Sequence, residues 1–308
     1  MPLLTKDQFR SALGINKNLI VTLAIGDTHR ERWNSLCAQN WRAYGAKHGY
    51  DILCIDQPLD RSERAQRRSP SWQKCLILSQ DLAYERIVWL DADILINNAA
   101  APSIIESVPP SMVGAVDEFS LPAPSLSRIA RERMIEFWTA RGEPFLDERT
   151  PAAYHANYGF DAIHLERVVQ GGTLVLSPCH RAVLEKIYYS YEDRGEPYWH
   201  YEMRPLSFEL QNANCVHWLD GRFNALWNFM LFSYYPFLMS EPPKFDPSKR
   251  LAARLFRRLY GKNPEQFAKQ IYKETLRASV NRAFHSTYFM HFAGRWDHMA
   301  LVNPDSNT

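Results

Sequence analysis

Glycine, paired cysteines, long apolar runs and an excess of one charge are all scarce in this chain of 308 residues. Thirteen glycines and 19 prolines leave no room for a collagen-like or low-complexity architecture, and 46% hydrophobic against 23% charged residues excludes disorder. No apolar run reaches the roughly 18 residues that a membrane-spanning helix needs. The 36 Lys and Arg nearly cancel the 34 Asp and Glu, so the net charge of +2 supplies no field for nucleic acid. An anionic partner has to be met by a local site. The five cysteines (Cys37, Cys54, Cys75, Cys179, Cys215) form no CxxC pair and mostly sit beside apolar residues, which predicts free thiols in a reducing compartment. The first residues, Met1 to Asp7, carry no basic stretch followed by an apolar one, so the expected location is cytoplasmic.

What is present reads as alternating strands and helices. Leu19 to Ile25 is a β-branched run ending at Gly26-Asp27, a helical stretch follows over 32–48, and Tyr50 to Ile55 is a second strand. Ser69-Pro70 caps a segment in which Trp72, Cys75, Leu76, Leu78 and Leu82 recur at near-helical spacing. Ile87 to Leu90 is the next strand and delivers Asp91-Ala-Asp93, followed by Ile94-Leu-Ile96. Further strands are expected at 112–116 and 173–176, with helices near 128–141 and 178–191, and a strand end and turn at Trp218 to Asn224. Residues 117–160 have few strand signals and read as a helical insertion over the sheet; 246–283 reads as a helical basic segment. The pattern predicts an α/β fold with a mostly parallel central sheet flanked by helices, whose ligands bind beyond the carboxyl ends of the strands. One domain over 1–308 is expected.

Asp91 and Asp93 lie inside a stretch that is otherwise core, where two unpaired charges would cost several kcal/mol, roughly, without a compensating group. A divalent cation with hard oxygen ligands, Mn²⁺ or Mg²⁺, is the simplest compensation; turn or cap aspartates are the plainer alternative. Trp72-Gln-Lys74, then Ile87-Val-Trp-Leu-Asp-Ala-Asp-Ile-Leu-Ile96, resembles the nucleotide-sugar-dependent glycosyltransferases of the GT-A (Rossmann-like) fold. The likeness is to the retaining glycogenin-like and fungal and plant galactosyl-, mannosyl- and xylosyltransferases. Gly26-Asp27, Gly45 to Tyr50, Gln170-Gly-Gly-Thr-Leu-Val-Leu-Ser177 and His291-Phe-Ala-Gly294 follow in the order seen there, across about 19–296.

The resemblance implies a metal-dependent sugar transfer from a nucleotide diphosphate donor, UDP-linked in most relatives, to a saccharide, lipid-linked or protein acceptor, with retention. It makes Asp93, Asp91 and His291 the metal ligands, with Asp91 also reaching the donor's ribose. Lys74 is carried over as a contact to donor sugar or diphosphate, with a solvated helix lysine as the alternative. Thr22, Ala24 and Asp27 fall where relatives hold base and ribose, Gly171 and Gly172 where sugars lie against backbone, and Gly294 where backbone approaches the phosphates. The family's later lysine is missing, and Arg295 is the nearest cation. Glu202 is the expected carboxylate at the anomeric carbon, although Met203 stands where the family has an amide; Asp220, in Leu-Asp-Gly-Arg-Phe-Asn224, competes with it or is a turn aspartate. A catalytically silent carbohydrate-binding or scaffold protein, and a sugar nucleotidyltransferase, are the rival readings; the second lacks its Gly-rich basic loop after the first strand.

Lys249 to Lys262 holds six basic and no acidic residues, with Leu251, Leu255 and Leu259 at i, i+4 and i+8. It predicts a basic amphipathic helix. Either its apolar stripe packs on the domain, or it meets the inner membrane surface peripherally.

Overall fold

In the computed structural model, residues 16–80, 82–143, 148–194, 201–239, 250–261 and 263–304 are described. The expected helix start at Asp246-Pro247, together with Met1 to Asp7, Lys249 and Lys262, lies outside them.

Six strands form the central sheet: β1 (Asn18–Leu23), β2 (Tyr50–Ile55), β3 (Arg86–Leu90), β5 (Val113–Asp117), β6 (Val169–Leu176) and β7 (Val216–Trp218), in the order β2-β1-β3-β6-β5-β7. The β1–β2, β1–β3 and β5–β7 pairs are parallel; β6 alone runs against its neighbours β3 and β5. The fold is α/β, with a mostly parallel sheet flanked by helices. A small second sheet, β4-β9-β8, joins β4 (Ile94–Ile96), β9 (Phe289–His291) and β8 (Ala225–Leu226).

Strand residues alternate between two cores, as the two-residue period of a pleated strand requires. Ile20, Val88, Leu90 and Val175 face one core, with α1 (Asp27–Leu36), α2 (Ala38–His48) and the small sheet. Leu19, Val21, Ile87, Trp89, Leu174 and Leu176 face the other. Burial on both faces explains why these strands read as continuous apolar runs rather than as alternating ones.

Several local expectations are corrected. The single helix expected over 32–48 is two, abutting at Cys37, whose Sγ donates to Ala92 O. Beyond the short α3 (Glu63–Gln66), the segment after Ser69 is a 3₁₀ helix, Pro70–Ser79, capped by the Ser69 hydroxyl, and every residue from Trp72 to Leu78 is buried. The strand expected over 173–176 begins earlier, at Val169, so Gln170-Gly-Gly172 lies within β6. Near these glycines the β5–β6 register shifts between Ala115 and Val116, so β6 bulges there. Between 117 and 160 the described residues contain α4 (Pro124–Thr139) and α5 (Pro151–Ala156) and no strand. All five thiols are free; Cys37 and Cys75 are buried, but Cys179 is exposed. No helix among the described residues is long and apolar enough to cross a membrane.

Candidate active site

β3 ends at Leu90 and hands the chain to Asp91-Ala-Asp93 at the carboxyl edge of the sheet. β9 runs antiparallel to β4 with His291 opposite Ile94, so a residue almost two hundred positions later returns beside the two aspartates. His291 Nε2 is 3.2 Å from Asp93 Oδ1 and 3.9 Å from Asp91 Oδ2. The segment after it folds back on Asp93: Phe292 N–H donates to the Asp93 carbonyl at 3.0 Å and Gly294 N–H to its carboxylate at 2.6 Å. This wrap uses two successive left-handed residues, Ala293 and Gly294, at φ 47° and 81°. Glycine suits the second because it carries no Cβ.

Burial alone would push His291 towards neutrality, but the adjoining Asp93 and Asp91 charges outweigh it, and its pKa is raised. Burial likewise favours the neutral form of Asp93, yet His291 and the Gly294 N–H hold its carboxyl below the usual range. When protonated, the imidazole offsets the charge of the two carboxylates. Its other nitrogen is fixed from behind. Asn224 Nδ2 donates to Gln170 Oε1 at 2.6 Å, which turns Asn224 Oδ1 to accept from His291 Nδ1 at 3.0 Å. With the proton fixed on Nδ1, deprotonated His291 presents the Nε2 lone pair to the aspartates.

Gly172 is required for space. A Cβ there would lie 2.6 Å from His291 Cε1 and Nδ1. Gly171 is tight on its other side, against Met203, Leu206 and Lys74 Nζ, at 3.2–3.4 Å from an added Cβ.

Lys74 is not a solvated helix lysine: its side chain is 3% exposed. Its Nζ is 2.7 Å from Glu202 Oε1, 3.2 Å from Asp91 Oδ1 and donates to Gly171 O at 3.0 Å. The two carboxylates raise its pKa despite burial, the largest single influence. Asp91 Oδ1 also accepts from Trp89 Nε1 at 2.8 Å. Glu202, 2% exposed, immediately precedes α7 (Met203–Asn212), which follows α6 (Arg181–Ser190). One connected polar cluster thus runs Glu202, Lys74, Asp91, with His291 and Asp93 beside it and Asn224 and Gln170 behind.

The remaining expected residues are placed differently. Thr22 and Ala24 are buried at the carboxyl end of β1, beside the end of β3, and Thr22 Oγ1 has no hydrogen-bond partner. Asp27 is exposed in the first turn of α1 and pairs with Arg30. Arg295 is tied to Asp297 at 3.2 Å and contacts His298. Asp220 caps a 3₁₀ turn, accepting from Arg222 N–H and pairing with the Arg222 guanidinium at 2.7 Å, so the turn-aspartate alternative describes its surroundings. Asn224 and the Gln170 side chain were not singled out by sequence; the available signal was their position in segments otherwise notable for Asp220 and for Gly171-Gly172.

Among the described residues no three His, Cys, Asp or Glu side chains are already gathered as a metal site. The donor set nevertheless fits one: two carboxylates and an imidazole Nε2 converge, and Asp91 is held slightly aside by Lys74 and Trp89.

No protein-family model and no curated protein sequence matches the chain. Solved structures with a similar chain course include a glycosyltransferase involved in glycosylation of the major capsid of PBCV-1, at TM-score 0.47 and 14% identity, covering 92% of this chain and 99% of that one. The bifunctional glycosyltransferase WbbM aligns at TM-score 0.49 and 12% identity over 96% of this chain and 50% of that one. The galactosyltransferase LgtC, solved with donor and acceptor sugar analogues, aligns at TM-score 0.44 and 13% identity over 92% and 95%. Likenesses this distant leave the chemistry to be read from the side chains.

Proposed function

We propose that the chain is a GT-A-type glycosyltransferase that moves a sugar from a nucleoside diphosphate donor, UDP-linked, to a hydroxyl acceptor with retention at the anomeric carbon. The observation that carries the reading is the convergence of Asp91, Asp93 and His291 at the carboxyl edge of the sheet, with an imidazole tautomer set for coordination. Mn²⁺ or Mg²⁺ held by these three would neutralise charge on the diphosphate leaving group. In the transfer, the anomeric C–O bond to the diphosphate breaks and its electron pair leaves with the phosphate oxygen. The acceptor oxygen forms the new bond on the same face, and its proton passes to the departing phosphate.

The side chains take distinct parts in this reading. Asp93, half-buried with its carboxyl held below the usual range, is oriented by the Gly294 N–H, so it needs no reorganisation to meet a cation. Lys74, cationic and buried, neutralises Glu202 and Asp91 until a donor enters and then lies where a diphosphate or sugar would be read. Glu202 supplies negative charge against a developing oxocarbenium ion. Thr22 Oγ1, buried without a partner, is a hydrogen-bonding group for the nucleoside. Gly172 makes room for the His291 ring and Gly171 for Lys74, while Gly294, with open space beside it, lets a phosphate approach backbone.

Donor hydrolysis with Mn²⁺ by the parent and by Asp93→Ala tests the assignment. Turnover should fall by at least about a hundredfold in the variant, and unchanged turnover would remove the metal site. A thermal-shift screen of UDP, GDP, CDP and dTDP with and without Mn²⁺ tests the donor: a Mn²⁺-dependent rise with UDP is expected, and a rise with another nucleotide alone would reassign the base. No turnover and no shift with any of them would favour the silent carbohydrate-binding reading.

A further inference from the structure

The helix α9 (Arg250–Tyr260), which follows α8 (Trp227–Tyr234) and precedes α10 (Pro264–His285) and α11 (Trp296–Met299), does not bury its leucine stripe on the domain. Leu251, Leu255 and Leu259 are 82%, 60% and 69% exposed. At about 100° per residue, the three leucines cover one arc of the helix and Phe256 and Tyr260 the next. The aromatic arc makes the contact with the protein: Phe256 lies against Phe267 of α10 at 5.4 Å between ring centroids, and Tyr260 against the same ring at 6.1 Å. On the opposite edge of the leucines stand Arg258 and Arg254, with Arg257 further round on the face away from them, and all three are exposed. α9 contains no acidic residue.

We infer that α9 lies in the plane of an anionic lipid surface, its leucines entering the acyl boundary and its guanidinium groups reading the headgroup phosphates. An in-plane helix needs an apolar strip open to solvent with cations along its edge, and α9 has both while a separate arc keeps it attached to the domain. Charge decides between a bilayer and a second copy of the chain. Two copies meeting through this strip would bring their arginines together with no acid on the helix to offset them, whereas anionic lipid complements them. The inference is independent of the catalytic reading, because lipid binding is measured without turnover.

Flotation of the full chain with vesicles of phosphatidylcholine alone, or with about a third phosphatidylglycerol, tests it. Anionic vesicles should bind about a hundredfold more tightly than neutral ones, in a salt-sensitive manner, since each arginine near the surface adds roughly tenfold at most. Replacing Leu251, Leu255 and Leu259 together by Ser should lower binding more than about tenfold with an unchanged thermal melt, the positions being exposed. Arg254→Gln, Arg257→Gln and Arg258→Gln combined should abolish the preference for anionic lipid. The proposal is overturned if the parent ignores anionic vesicles, if the leucine variant binds them as the parent does, or if the parent self-associates in solution and the leucine variant does not.

Discussion

Gly172→Ala gives the sharpest test of how the candidate site is built. The β6 backbone at this position has no left-handed twist to relieve, so alanine is excluded by space and not by conformation. Its Cβ would stand 2.6 Å from His291 Cε1 and Nδ1 and 2.8 Å from Gln170 Oε1, and the imidazole would have to retreat by about 0.8 Å to reach ordinary contact at 3.4 Å. That retreat is opposed on both sides. Moving the ring lengthens its 3.0 Å bond to Asn224 or disturbs its 3.2 Å pairing with Asp93.

Overpacking of this kind costs roughly 1–3 kcal/mol of stability, and displacing a ligand or its support lowers metal affinity roughly 10–100-fold. Mn²⁺ titration by calorimetry, with chemical denaturation in the absence of metal, separates the two effects. Gly171→Ala is the control, because its Cβ meets Met203, Leu206 and Lys74 at 3.2–3.4 Å and does not reach His291. It should keep Mn²⁺ affinity within a few-fold, roughly. If Gly172→Ala binds Mn²⁺ as the parent does, the packing of His291 against β6 has nothing to do with coordination and the argument fails.

Other consequences can be measured alongside. Asn224→Leu removes the acceptor that fixes the His291 proton on Nδ1, so Mn²⁺ affinity should fall roughly tenfold or more; Asn224→Asp, which keeps the acceptor, should retain more of it. Lys74→Met leaves Glu202 buried and unpaired and should cost about 3–5 kcal/mol in urea denaturation, and adding Glu202→Gln should recover part of that. Asp220→Ala should lose about 1 kcal/mol of cap and leave donor turnover unchanged; a large loss of turnover would restore it as the catalytic carboxylate. His298 is held neutral by burial and by Arg295, with its pKa lowered from 6.5 to about 4, and its Nδ1 accepts from Trp227 Nε1. Because the unfolded chain binds this proton first, stability present above pH 6.5 is lost as pH falls towards 4, by roughly 2–3 kcal/mol. His298→Asn, which offers an acceptor in place of Nδ1 without titrating, should flatten that part of the stability curve.

The strands were legible because both faces of the sheet are buried. Ile87 to Leu90 is apolar throughout and Leu19 to Ile25 departs from that only at Thr22, and polarity returns at Asp91 and at Gly26-Asp27. The direction of β6 was not legible, since a fully buried strand has the same composition whichever way it runs. The same is true of the 3₁₀ segment 70–79, whose residues from Trp72 to Leu78 are all buried, polar and apolar alike, so that no exposed stripe distinguishes one helical pitch from another. α9 was legible as an amphipathic helix, but which arc faces the protein depends on Phe256 meeting Phe267, a contact between two helices that neither segment encodes alone.

The candidate site divides along a similar line. Asp91 and Asp93 are visible in sequence because carboxylates inside a core demand compensation, whereas Gly171 and Gly172 stood out only through the resemblance. Asn224 and Gln170 announce nothing, being amides next to turn residues or glycines. Yet they decide which nitrogen His291 presents, and they can do so only because the small sheet closes β9 against β4 and β8 and brings 224 and 291 to the end of β3. Independently of that closure, the 3₁₀ helix 70–79 sets Lys74 between Glu202 and Asp91, so the charges that point to a donor site also hold the site together. A variant that breaks one of these pairs therefore reports on stability and on binding at once. Assigning a role to any of the seven side chains requires the double variants, in which stability recovers and metal or donor affinity does not.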